Sequence, residues 1–82
     1  MKAERQAIRA ELLRALERYH PDLRLASSVC DEVKEKLSLK STRLVTSEGL
    51  RCVEEELIHE EKDHGVRYWQ ITSAGIQCLD EY

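Results

Sequence analysis

Leu57-Ile58-His59-Glu60-Glu61-Lys62-Asp63-His64-Gly65-Val66-Arg67-Tyr68-Trp69-Gln70-Ile71-Thr72-Ser73-Ala74-Gly75-Ile76 is the stretch on which the fold turns. Val66 to Thr72 is β-branched and aromatic, the best strand former in the chain. Asp63-His64-Gly65 ahead of it is turn punctuation, with a glycine that tolerates positive φ. The piece reads as a short β-hairpin whose second arm ends at Thr72, the N-cap of a last helix. Alternation along the strand sends Trp69 and Ile71 inward with Ile58 of the first arm, and Val66 and Tyr68 to the opposite face. Ile76 and Leu79 give the closing helix its inner side. That helix is short and depends on packing for its stability.

Ahead of the hairpin, Thr46 or Ser47 is placed to cap a third helix whose core face is Leu50, Val53 and Leu57. Glu48 near its amino end suits the helix dipole, and Gly49 in its first turn implies a close helix crossing. Ser38 to Val45 follows no single period and predicts a connection longer than usual. Val29, Val33 and Leu37 form the buried stripe of a second helix. Ser27 or Ser28 is placed to cap it, Ser28 and Asp31 having capping-box spacing. Leu23 and Leu25 alternate with Asp22 and Arg24, which is enough for one short strand. Ile8, Leu12, Leu16 and Tyr19 mark one face of a first helix from about Lys2 to Tyr19, stopped by His20-Pro21. The expected core is Ile8, Leu12, Leu16, Val29, Val33, Leu50, Val53, Leu57, Trp69, Ile71, Ile76 and Leu79.

Eighty-two residues make one small domain, 1–82, with no room for a second core. Hydrophobic content of 41% and charged content of 35% suit a folded, helix-rich domain rather than a membrane protein. No apolar run approaches the length of a membrane helix, so no membrane partner is expected. The charged amino terminus lacks the apolar core of a signal peptide, which makes the cytosol the expected compartment. Cys30, Cys52 and Cys78 are odd in number and widely spaced. They fit small hydrophobes better than disulfides or metal ligands. No metal, no cofactor and no catalytic residue is expected: phosphate loop, nucleophile elbow and metal-pair spacing are all missing from the sequence.

The order helix, short strand, helix, helix, hairpin, helix resembles winged helix-turn-helix domains. Ile71-Thr72-Ser73-Ala74-Gly75-Ile76 stands where MarR-like bacterial regulators carry Leu-Thr-x-x-Gly at the end of the second wing strand. Leu50-Arg51-Cys52-Val53-Glu54-Glu55-Glu56-Leu57-Ile58 looks like a recognition helix entering the wing. Small bacterial and prophage proteins share this arrangement. The resemblance implies an α+β, mainly helical winged helix: a three-helix bundle, a C-terminal hairpin wing and a short final helix. It also implies double-stranded DNA as a partner and transcription regulation as the function.

Charge departs from that pattern. Residues 1–43 carry ten Lys and Arg against seven Asp and Glu, whereas residues 44–82 carry three against nine. The expected recognition helix and wing therefore lie in the acidic half, although duplex affinity comes largely from cations neutralising phosphates. Lys40, Arg43, Arg51, Lys62 and Arg67 are the candidate nucleic-acid contacts. Arg5 and Arg9 on the first helix, with Tyr68 on the wing, are candidate protein contacts. Two functions stay open. One is a small DNA-binding regulator, which requires a homodimer to double so few contacts. The other is a winged-helix adaptor that binds protein and not DNA.

Overall fold

The computed structural model describes residues 2–82, with side chains from Glu4 onward. Helix α1 (Lys2–Arg18) is the backbone of the bundle. It buries Ile8, Leu12 and Leu16, and also Leu13 and Ala15, because it is covered on two sides by other helices. Arg24 and Leu25 form strand β1 (Arg24–Leu25), from which the chain passes directly into α2 (Ala26–Lys36). A six-residue turn leads to α3 (Arg43–Glu54). The hairpin is β2 (Ile58–Asp63) and β3 (Val66–Ile71), and α4 (Ser73–Leu79) closes the chain. Among the described residues this is a mainly helical α+β fold, four helices against a three-stranded antiparallel sheet of order β1-β3-β2.

The hairpin follows the alternation read from its residues. Ile58 pairs with Ile71 and Glu60 with Trp69, and Ile58, Trp69 and Ile71 are all buried. His64 and Gly65 take φ of +52° and +80° at the turn. Thr72 caps α4: its hydroxyl accepts from the Gly75 amide at 3.0 Å and donates to the Glu56 carbonyl at 2.7 Å. Burying an indole removes roughly 150–250 Å² from water, worth about 4–6 kcal/mol at 25 cal/mol per Å² before entropy is subtracted. Trp69 is thus the largest single apolar contribution. Its ring lies on Gly49, where an added Cβ would sit 2.2 Å from the indole. The close approach that Gly49 permits is to this ring and not, as its position in the helix suggested, to another helix.

Helix α3 departs most from its expected form. It begins at Arg43, within the segment read as a connection, and Thr46 and Ser47 lie inside it and do not cap it. Its buried side is Val45, Glu48, Gly49 and Cys52, with Leu50, Val53 and Leu57 only partly buried. The earlier start and a buried glutamate both rotate the face away from the obvious leucines. Helix α2 differs at its entry: Leu25 is the N-cap and no side chain caps the helix, since it grows straight out of β1. Ser27 and Ser28 sit in its first turn, exposed.

Neither α2 nor α3 ends on glycine. Ser38 and Glu56 take φ of +54° and +64° in its place. Each closes a Schellman turn: Leu39 N–H donates to the Lys34 carbonyl, and Leu57 N–H donates to the Cys52 carbonyl.

Gly49→Ala is expected to drive a methyl into the indole and lower stability by at least about 1–3 kcal/mol. A red-shifted Trp69 emission and a lower melting temperature are the readouts, and unchanged melting would place the ring elsewhere. Ser38→Gly is expected to stabilise by about 0.5–1 kcal/mol, because relief of left-handed strain exceeds the added chain entropy. Denaturant titration measures it.

Candidate nucleic-acid interface

The site is set by where α3 puts its charges. Arg9 of α1 lies one position from Ile8 and one helical turn before buried Leu13, so it projects into the α1–α3 seam. Its Nε donates to Glu48 Oε2 at 2.7 Å, and its two terminal nitrogens reach Glu55 at 3.0 and 2.8 Å. Glu48 is only 5% exposed. The hydrogen bond from Arg9, more than Coulomb attraction, holds the Glu55 carboxyl below the usual carboxylate range. Glu55 in turn raises the already high pKa of Arg9, against the effect of burial. Arg9, read from sequence as a protein contact, is occupied inside the molecule.

This arrangement removes two carboxylates from the outer side of α3. What remains outward is Arg43, Ser47 and Arg51, spaced four residues apart on one exposed face. Leu44 stands beside them, 47% exposed, and Glu54 ends the row. From Arg43 to Arg51 the face runs about 12 Å along the helix axis. Lys40 is exposed in the turn just before it. Sequence places Ser47 only as a candidate cap and Leu44 in the connection, whereas α3 begins at Arg43 and carries both on its exposed side. The orientation of Glu48 had a trace in the pattern Val45-x-x-Glu48-Gly49-x-x-Cys52, which recurs at helical spacing.

The hairpin sorts its charges by the same alternation. Glu61 and Asp63 point to the outer face of the sheet, with Glu60, Lys62 and Arg67 on the face that carries Trp69. Glu60 accepts a hydrogen bond from the Trp69 indole at 2.9 Å, and Arg67 Nε lies 3.1 Å from the same oxygen without hydrogen-bond alignment. Lys62 is the exposed cross-strand neighbour of Arg67. Arg67 and Thr46 of α3 line a common groove of about 220 Å³, which brings hairpin and helix together.

Of the candidate contacts, Lys40, Arg43 and Arg51 thus gather around α3. Lys62 is on the hairpin with its neighbour Arg67, which is half-committed to Glu60. Arg5 is exposed on α1, and Tyr68 is half-buried on the far side of the sheet. Burial pushes the Cys52 thiol up to about 12 and raises Cys30 as well, so both are protonated at neutral pH. Among the described residues no cluster of His, Cys, Asp and Glu could hold a metal, and no helix is long and apolar enough to cross a membrane.

Compared with known proteins, the chain matches no family model, no curated protein and no solved structure.

Arg9→Ala is expected to cost about 3 kcal/mol, the low end for orphaning a buried partner, since Arg9 keeps part of its side chain in water. Replacing Arg9 and Glu48 together by leucines should recover most of that loss. The pH dependence carries a sign. A carboxyl with a lowered folded pKa stabilises above its unfolded pKa, and that contribution disappears as pH falls through the folded value. Acid unfolding of the wild type should therefore steepen below about pH 4.5, and in Arg9→Ala this slope should flatten. Equal acid profiles for the two proteins would exclude the pairing.

Proposed function

We propose that this chain is a non-catalytic winged-helix module that binds double-stranded DNA, with α3 as its recognition helix. The observation that carries this reading is the outward face of α3, with Arg43, Ser47 and Arg51 outside and Glu48 and Glu55 turned to Arg9. The acidic character of the C-terminal half is a property of the sequence sum and not of this face. Arg51 can take a guanine edge bidentately, Ser47 can hydrogen-bond either base type, and Leu44 can lie against a thymine methyl. Lys40, Arg43 and Lys62 suit phosphates on either side of the groove. The fold supplies the frame for this reading, and a frame alone does not specify function. An adaptor that binds protein is the second reading, favoured by Glu61 and Asp63 on the outer wing.

Four cations, Lys40, Arg43, Arg51 and Lys62, would neutralise about four phosphates per subunit, so log K should fall against log salt with a slope near −3.6. Titration of mixed-sequence duplex at low and moderate salt, read by amide chemical shifts, should move resonances of α3 first. Arg51→Glu should abolish the response. Sedimentation with duplex should show two copies bound, because one copy offers too few contacts for physiological salt. A chain that stays monomeric, with no shift at low salt, would reject DNA and leave the adaptor.

A further inference from the structure

The outer face of the sheet has a chemistry of its own. Leu25 sits opposite Tyr68, which sits opposite Glu61, and Val66 sits opposite Asp63. Leu23 precedes β1, just outside the strand. Leu23, Leu25 and Val66 are 39%, 36% and 42% exposed. The face therefore grades across its width, from an apolar strip on the β1 side to carboxylates on β2. Because β1 pairs only with Tyr68 and Trp69, the strip ends at the groove of about 220 Å³, where Leu25 and Val66 stand beside Ala26 and Cys30 and the lining passes to Arg67, Trp69 and Thr46 on the bundle side. Leu25 and Val66, this exposed at the rim of a recess, with Glu61 and Asp63 along the strand beyond, mark an interaction surface.

We infer that this face docks an amphipathic helical segment of a partner protein, one with an apolar ridge flanked by Lys or Arg. The groove takes one apolar side chain of the ridge, and the flank meets Glu61 and Asp63. Their present neighbours are His59 and His64, at 3.0 and 2.9 Å, each touching one carboxylate oxygen. The second oxygen of each carboxylate stays available to a cation. A second copy of this chain is the poorer occupant. Two-fold pairing of the face would set its carboxylates against each other or against the apolar strip, desolvating them without a partner. Glu61, Tyr68 and Val66 lie across the sheet from Trp69, whereas the groove itself reaches Trp69 and Thr46 of α3.

The test uses two dye-labelled 18-residue helical peptides with leucines at i, i+3, i+4 and i+7, one flanked by lysines and one by glutamates. The lysine peptide should bind at least about tenfold more tightly in anisotropy titrations, equivalent to about 1.4 kcal/mol. It should shift the Leu25, Val66 and Tyr68 amides. The pair Glu61→Lys and Asp63→Lys should reverse the preference, and Val66→Ser, an exposed change that leaves the core intact, should weaken binding about tenfold. Equal binding of the two peptides, shifts confined to α1 and α2, no binding at millimolar peptide, or self-association lost in Val66→Ser would each overturn the proposal.

Discussion

Arg9 holds α1 and α3 in one relative rotation, and most of what is distinctive in this molecule depends on that. A guanidinium in the seam between two helices is tolerated only with partners in place, since an isolated buried charge costs far more than a small domain can supply. Glu48 and Glu55 provide them, from positions seven residues apart on α3. With those two carboxylates directed at α1, the opposite side of α3 has to face water, and Arg43, Ser47 and Arg51 are what it carries. The ion pairs contribute modestly to stability for their number. Their larger effect is orientation: any other rotation of α3 strands a charge.

Trp69 and Gly49 work on the same helix within the same buried face. The indole needs a flat bed, and a residue without a Cβ supplies it. Helix α3 is consequently held by the α1 cation and the β3 aromatic along one inner surface, built of small or polar groups: Val45, Glu48, Gly49 and Cys52. The indole N–H also needs an acceptor when buried, and Glu60 meets that need from the neighbouring strand while drawing Arg67 towards the same oxygen. A single aromatic residue thus links the helix, both hairpin strands and the charge pattern of the wing.

The surface that results has two unlike sides. Cations and a hydroxyl lie outward on α3, and carboxylates border an apolar strip on the outer sheet. Alternation in β2 separates Lys62 from Glu61 and Asp63 across less than the thickness of one strand. Total charge therefore misleads for a domain this size. Net charge governs solubility and long-range attraction, while contact depends on which side chains share a face.

Local chemistry was enough to read the hairpin, its Asp63-His64-Gly65 turn, the inward Trp69 and the Thr72 cap, because each rests on neighbours within a few residues. The buried stripes of α1 and α2 were legible for the same reason, apart from the additional burial of Ala10, Leu13 and Cys30 and the only partial burial of Tyr19 and Leu37 just past the helix ends. The face of α3 was not. Its leucines and valine suggest one side, but a glutamate becomes a core residue only when an arginine 39 positions away arrives to meet it, and a glycine becomes a contact only when an indole covers it. The same holds for the candidate site: Lys40, Arg43, Arg51, Lys62 and Arg67 could be named from their charge, yet whether carboxylates stand beside them in space was decided by the packing of α1 on α3 for the helix and by the register of β2 on β3 for Lys62 and Arg67. Periodicity and turn chemistry are properties of short segments, so the sequence by itself determined the elements and the alternation of the wing. Pairing of charges and close apolar contacts join segments distant in the chain, so only the tertiary structure decided which face of α3 meets the outside.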